Sequence, residues 1–153
     1  MAAKTFRDMR AWQTAVDAAL AVRDGSQNFP AAEHTTLTNP LRLCAAGVAT
    51  TISDAWRHRT RPSEFVAKLS AAEGLAAQTQ TWIELALRSN ALDKTSAGSL
   101  IEKYDDVITQ LNNMIEQPEK WATSKETLYV PAGQIHDAIR RKTGVSGRQP
   151  KQT

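Results

Sequence analysis

The sequence predicts an all-α protein: an up-down-up-down antiparallel four-helix bundle with a basic C-terminal extension. Three features point to it. Apolar residues recur at three- and four-residue spacing in four successive stretches between residues 7 and 117. Each stretch is closed by punctuation: Gly25-Ser26, the basic turn from Arg57 to Arg61 before Pro62, Ser89-Asn90, and Gln117-Pro118. The links are short, and short links make consecutive helices antiparallel neighbours.

The first helix is expected from about Arg7 to Asp24, with Met9, Trp12, Val16, Ala19 and Leu20 as its apolar stripe. Gly25-Ser26 closes it. Phe29-Pro30 begins a connection, and Pro30 suits the start of a short helical turn through Glu33 to Leu37. At Thr38-Asn39-Pro40 a fresh helix is expected. Thr38 or Asn39 would be its N-cap, and Pro40 would sit in the first turn, where a missing N–H does no harm. This second helix runs to about His58, with Leu41, Cys44, Ala45, Val48, Ile52 and Ala55 inward. Ala45, Ala46, Gly47 and Ala49 allow a neighbour to approach closely. Thr50, Thr51 and Ser53 lower helix propensity, so packing must supply the difference.

Pro62-Ser63-Glu64 starts the third helix, whose stripe is Phe65, Leu69, Ala72, Leu75, Ala76, Thr79, Trp82, Ile83 and Ala86. Gly74 reads as a weak point that also permits close packing. Asp93 to Ser99 is a polar link rich in capping residues. The fourth helix carries Leu100, Ile101, Tyr104, Val107, Ile108, Leu111, Met114 and Ile115. Residues 1–117 therefore form the bundle and 118–153 the extension. Within the extension, Trp121, Leu128, Tyr129 and Val130 read as a short extended clip. Pro131 to Lys142 reads as a short helix ending in Arg140-Arg141-Lys142, where cations suit the dipole. Gly144 to Thr153 reads as disordered.

At 153 residues the chain is long enough to bury one real core. An apolar content of 41% with 23% charged residues is ordinary for a soluble globular protein. No run approaches the ~20 apolar residues of a membrane span. The N-terminus lacks the apolar segment of a signal peptide, and the single cysteine, Cys44, excludes an internal disulfide. The expected location is the cytoplasm. Charge is unevenly spread. Residues 1–117 hold 12 Lys and Arg against 13 Asp and Glu, a balance of −1, whereas residues 118–153 hold 7 against 3, a balance of +4. A basic appendage on a neutral body suits a polyanionic partner; it also suits a merely solubilising end.

Catalytic patterns are missing. His34, His58 and His136 lie far apart and take part in no HxxxH or ExxH spacing, so the Glu-x-x-His pairs of a di-metal bundle are absent. There are no paired cysteines, no glycine-rich phosphate loop and no serine nucleophile elbow. Cys44 reads as a small core residue and Asp105-Asp106 as solvated surface. No enzyme, cofactor or resident metal is expected. The densest basic and aromatic cluster is Trp56 with Arg57, His58, Arg59 and Arg61. Guanidinium groups there would grip phosphates while Trp56 stacks on a base. The stronger reading is structural, a solvated turn with Trp56 buried at the bundle end. Candidate nucleic-acid contacts are Arg57, Arg59 and Arg61, with Arg140, Arg141, Lys142, Arg148 and Lys151 in the extension.

Phe6-x-x-Met9-x-x-Trp12-Gln13, then Phe29-Pro30-x-x-Glu33, then Leu41-Arg42 follow in an order and spacing that is fairly specific. From Phe6 to Gln117 the chain resembles the bacterial four helix bundle protein family, also called the 23S rRNA intervening sequence protein family. That family is related to the accessory variability determinant (Avd) of diversity-generating retroelements. It departs from the pattern in two places: Thr51-Ile52-Ser53-Asp54-Ala55 stands where the family shows Asn-Ile-Ala-Glu-Gly, and Ala77-Gln78-Thr79 where Glu-Leu-Glu is expected. The resemblance implies a non-enzymatic protein that assembles as a ring, typically a homopentamer. In the Avd branch it implies binding of structured RNA and a reverse transcriptase. Four Trp and three Phe in so small a bundle leave large aromatics available for contacts between subunits. The expectation is an RNA-binding oligomeric adaptor; the alternative is a protein-interaction scaffold with no nucleic-acid role.

Overall fold

The computed structural model describes residues 3–122 together with Gly133, Asp137 and residues 139–141. Four helices dominate: α1 (Arg10–Gly25), α2 (Asn39–Arg57), α3 (Pro62–Arg88) and α4 (Lys94–Glu116). Each packs on its neighbour in sequence, and α4 closes back onto α1, which makes an antiparallel four-helix bundle.

The first turn departs from expectation. Thr5 and Asp8 form a capping box that organises a separate 3-10 turn, Phe6–Asp8, and Met9 is extended at φ −72°, ψ 123°. α1 therefore begins at Arg10. The face of α1 also differs. Ala11, Ala15, Ala18 and Val22 are buried, whereas Leu20 is 55% exposed and Trp12, Val16 and Ala19 are half-buried against the core's edge. Two rows on α1 share the helical period. The small-residue row faces inward, and the larger side chains wedge beside neighbouring helices.

The fresh start at Thr38 is corrected in part: α2 does begin at Asn39 with Pro40 in its first turn, but no break precedes it. Ala31–Glu33 is a 3-10 turn, His34–Thr38 is a π-helical turn, and the chain runs directly into α2. Thr38 is itself helical at φ −62°, ψ −52° and makes no side-chain cap. The Asn39 N–H reaches back five residues to the His34 carbonyl. A proline at position 40 lacks the N–H for an ordinary turn and crowds the carbonyl four residues earlier. The widened turn relieves that conflict.

α2 and α3 behave largely as expected. Leu41, Ala45, Val48, Ile52 and Ala55 are buried on α2, joined by Ala49 and Trp56; Cys44 is only half-buried, its thiol donating to the Leu75 carbonyl at 3.4 Å. α3 buries Phe65, Leu69, Ala72, Ala76, Thr79, Ile83 and Ala86, with Leu75 and Trp82 at the margin. A Cβ at Gly47 would meet Leu75 at 3.4 Å, so α3 does approach closely there; at Gly74 it would meet nothing within 4 Å, so Gly74 serves no close approach. α3 ends in a Schellman arrangement: Ala91 N–H bonds the Ala86 carbonyl at 2.9 Å, Asn90 N–H bonds the Leu87 carbonyl at 3.1 Å, and Asn90 takes φ 59°. The expected polar link from Asp93 to Ser99 is corrected: α4 already begins at Lys94, because Asp93 caps it by accepting from the Ser96 N–H at 2.8 Å.

α4 buries Ala97, Leu100, Tyr104, Val107, Leu111 and Met114. After it, Pro118–Lys120 forms a 3-10 turn and Trp121 packs against the core margin. The Leu128, Tyr129 and Val130 part of the expected clip lies outside the described residues, as does the segment from Gly144. Of the expected helix from Pro131 to Lys142, Gly133, Asp137 and residues 139–141 are helical and exposed.

Candidate nucleic-acid interface

The α2–α3 turn collects three of the eight candidate contacts, because Arg57, Arg59 and Arg61 fall within five residues of one another. α2 ends at Arg57, His58 N–H bonds the Ala55 carbonyl, and Arg61 N–H bonds the His58 carbonyl. Pro62 then opens α3 at the helix start, where its ring is tolerated.

The three arginines meet different fates. Arg59 folds back over the end of α2: its guanidinium lies 3.2 Å from the centre of the Trp56 ring, and its Nε donates to the Trp56 carbonyl at 3.0 Å. Arg59 is 7% exposed and Trp56 is 2% exposed. Burial, and secondarily the charge of Arg57, lowers the Arg59 pKa to about 10, so the group stays cationic at neutral pH. Trp56 is thus a core residue with a guanidinium on its ring, and the proposed stacking of a base on Trp56 finds that place taken. Arg61 stays exposed and pairs with Glu64 at 3.0 Å. Arg57 is exposed at the end of α2.

Two further residues belong to this end of the bundle and were missed. Lys68 on α3 pairs with Asp54 on α2 at 2.6 Å. The Lys68 hydrogen bond is the main reason the Asp54 carboxyl sits below its ordinary value, with the charges of Lys68 and His58 adding to it. The His58 ring lies between two carboxylates, Nδ1 3.7 Å from Asp54 and Nε2 3.9 Å from Glu64. Finding the Asp54–Lys68 pair requires the antiparallel register of α2 and α3, which neither helix reveals alone.

In the extension, Arg140 and Arg141 are exposed on helical backbone, and Arg141 Nε donates to the Asp137 carbonyl at 3.3 Å. Lys142, Arg148 and Lys151 lie outside the described residues.

Residues of the sequence pieces that carry the resemblance have structural partners. Phe6 and Trp12 make an edge-to-face pair with centroids 5.4 Å apart, and Gln13 Nε2 donates to the Arg7 carbonyl at 2.7 Å. Arg42 Nε donates to Ser26 Oγ at 2.8 Å, tying the start of α2 to the end of α1. Asp105 accepts from Gln80 Nε2 at 2.8 Å and so links α4 to α3 while remaining exposed. Among the described residues no three of His, Cys, Asp and Glu are grouped to hold a metal ion, and no helix is long and apolar enough to cross a membrane.

A comparison with curated proteins finds no match. A family model does match, over residues 7–113, which is most of the bundle. Its members are small helical proteins with no known catalytic activity. The chain belongs to the 23S rRNA-intervening sequence protein family.

Proposed function

We propose that this protein is a non-enzymatic, oligomeric RNA-binding adaptor of the cytoplasm, accessory to a reverse transcriptase of a diversity-generating retroelement. The observation that carries the reading is the split of charge: −1 over residues 1–117 and +4 over residues 118–153. A homopentameric ring multiplies that extension to a charge of about +20, enough to turn weak single contacts into avidity for structured RNA. Arg140 and Arg141, both exposed, begin the basic run that Lys142, Arg148 and Lys151 continue.

The test is a titration of labelled structured RNA with the full chain and with a chain lacking residues 119–153, at several salt concentrations. The adaptor reading expects tight binding that weakens steeply with salt, and a weaker, flatter dependence after truncation. An unchanged salt slope removes the extension from the interface, and no binding at low salt removes the RNA.

A second reading is a protein-interaction scaffold. Leu20, Leu43 and Leu85 favour it, being 55%, 65% and 47% exposed on the outer faces of α1, α2 and α3. Partner recovery that resists nuclease, with no RNA present, would support that reading.

A further inference from the structure

Arg59 is a buried cation with no counter-charge among the described residues. Among the described residues it has no carboxylate partner, and the carboxylates that flank the turn are engaged elsewhere: Asp54 by Lys68 at 2.6 Å and Glu64 by Arg61 at 3.0 Å. What it does have is partial. The Trp56 carbonyl, at the negative end of α2, takes Nε, and the Trp56 ring offers its electron-rich face. Neither neutralises a full positive charge, and withdrawing an unpaired charge from water is expensive.

The guanidinium is also fixed. Its carbon lies 3.2 Å from the Trp56 ring centre and its Nε donates to the Trp56 carbonyl at 3.0 Å, so two contacts place the two Nη groups before any ligand arrives. Among the described residues the fully buried side-chain atoms without a hydrogen bond are Tyr104 Oη and Gln110 Oε1. The Nη atoms of Arg59 are not among them, although they have no acceptor among the described residues, so this end of the fork is not sealed from solvent. A planar fork of N–H donors matches two oxygens of a phosphate, and preorganisation lowers the entropic cost of binding one. Arg57 on the same turn raises the local positive potential and adds to burial in lowering the Arg59 pKa.

We propose that the α2–α3 turn is a phosphate-binding site in which the Arg59 guanidinium, clamped on Trp56, receives two oxygens of the anion. Its occupant is a backbone phosphate of RNA or free inorganic phosphate. The RNA source rests on the adaptor reading; the phosphate chemistry does not.

Two measurements on the full chain separate the two. The first compares thermal unfolding in inorganic phosphate and in chloride at matched ionic strength, for the wild type, Arg59→Gln, Arg59→Lys and, as a control, Arg88→Gln at the far end of α3, where Arg88 pairs with Glu84. Phosphate should raise the midpoint of the wild type and of Arg88→Gln above chloride. The gain should vanish in Arg59→Gln and shrink in Arg59→Lys, which keeps the charge but not the fork. The second measures the salt dependence of RNA binding. Losing one phosphate contact should lower the log–log slope by about 0.7–0.9 in Arg59→Gln. A phosphate gain that Arg59→Gln abolishes, with no RNA binding by the wild type, supports the site and ends the RNA reading. RNA binding whose slope Arg59→Gln leaves unchanged, with no phosphate gain in the wild type, ends the site and leaves the RNA reading. If Arg59→Gln loses its helical signal, Arg59→Lys decides: a full phosphate gain there overturns the fork, a reduced one supports it.

Discussion

The indole N–H of Trp12 on α1 donates to the hydroxyl of Ser53 on α2 at 3.0 Å, and the same hydroxyl reaches the Ala49 carbonyl at 3.0 Å. Ser53 lies in the Thr- and Ser-containing part of α2 whose helix propensity is low, and there its hydroxyl supplies a contact between helices. The bond also explains the placement of Trp12, whose ring lies at the α1–α2 seam with its polar edge satisfied. Ser53→Ala should destabilise the bundle by about 1 kcal/mol, and Trp12→Phe by more, since it also removes apolar contact. Urea unfolding of both single variants and the double variant checks this. A coupling near zero would mean that the bond adds nothing beyond packing.

Asp93 supplies the pH dependence. Its carboxyl is held below the ordinary 3.8, first by the Ser96 hydroxyl, bonded at 2.6 Å, and then by the Ser96 N–H. The folded pKa is lower than the unfolded one, so the stabilisation is complete above about pH 4 and disappears as pH falls through the folded value. Asp54 acts in the same direction through Lys68. Asp93→Ala should lower stability at neutral pH and flatten its fall on the acid side, measured as urea midpoints from pH 7 downward. An acid limb as steep as that of the wild type would remove Asp93 from the effect.

Tyr104 is fully buried on α4, and its hydroxyl has no hydrogen-bond partner among the described residues. Burial, with the nearby Cys44 adding to it, holds the phenol in its neutral form well above the ordinary range. An unpaired buried hydroxyl sacrifices its bonds to water without compensation. Tyr104→Phe keeps the ring and should be neutral or stabilising by up to about 1 kcal/mol, against the usual cost of altering a core residue. A thermal midpoint several degrees lower than that of the wild type would show that the hydroxyl has a partner in solution, such as an internal water.

Helix number, order and most boundaries were legible because the determinants are local. Pro62, Asn90 and Asp93 act within one turn of themselves, and they set the limits of α3 and the start of α4. The direction of α1 was not legible. Ala11, Ala15, Ala18 and Val22 repeat with the same period as Trp12, Val16 and Ala19, and size favoured the wrong row. Only the space left by α2 and α4 decides between them. At the candidate interface, proximity of Arg57, Arg59 and Arg61 follows from sequence spacing alone, but their separate environments do not. Arg59 is buried because the chain turns back on the last residues of α2, and Lys68 meets Asp54 because α2 and α3 pair in one register.

The two glycines of the α2–α3 region separate helix propensity from packing. Gly74 sits inside α3 with open space where a Cβ would point, so Gly74→Ala gains helix propensity and a less flexible unfolded chain without a clash. It should stabilise the protein by about 0.5–1 kcal/mol. Gly47 differs, because its added Cβ would touch Leu75 at 3.4 Å, an ordinary contact, while a larger side chain would push against α3. Gly47→Ala should therefore be tolerated, whereas Gly47→Leu should cost about 1–3 kcal/mol by overpacking. Urea unfolding of the three variants tests the ordering, Gly74→Ala most stable and Gly47→Leu least. A destabilised Gly74→Ala would show that in solution something, such as a second copy of the chain, approaches α3 at the position left open here.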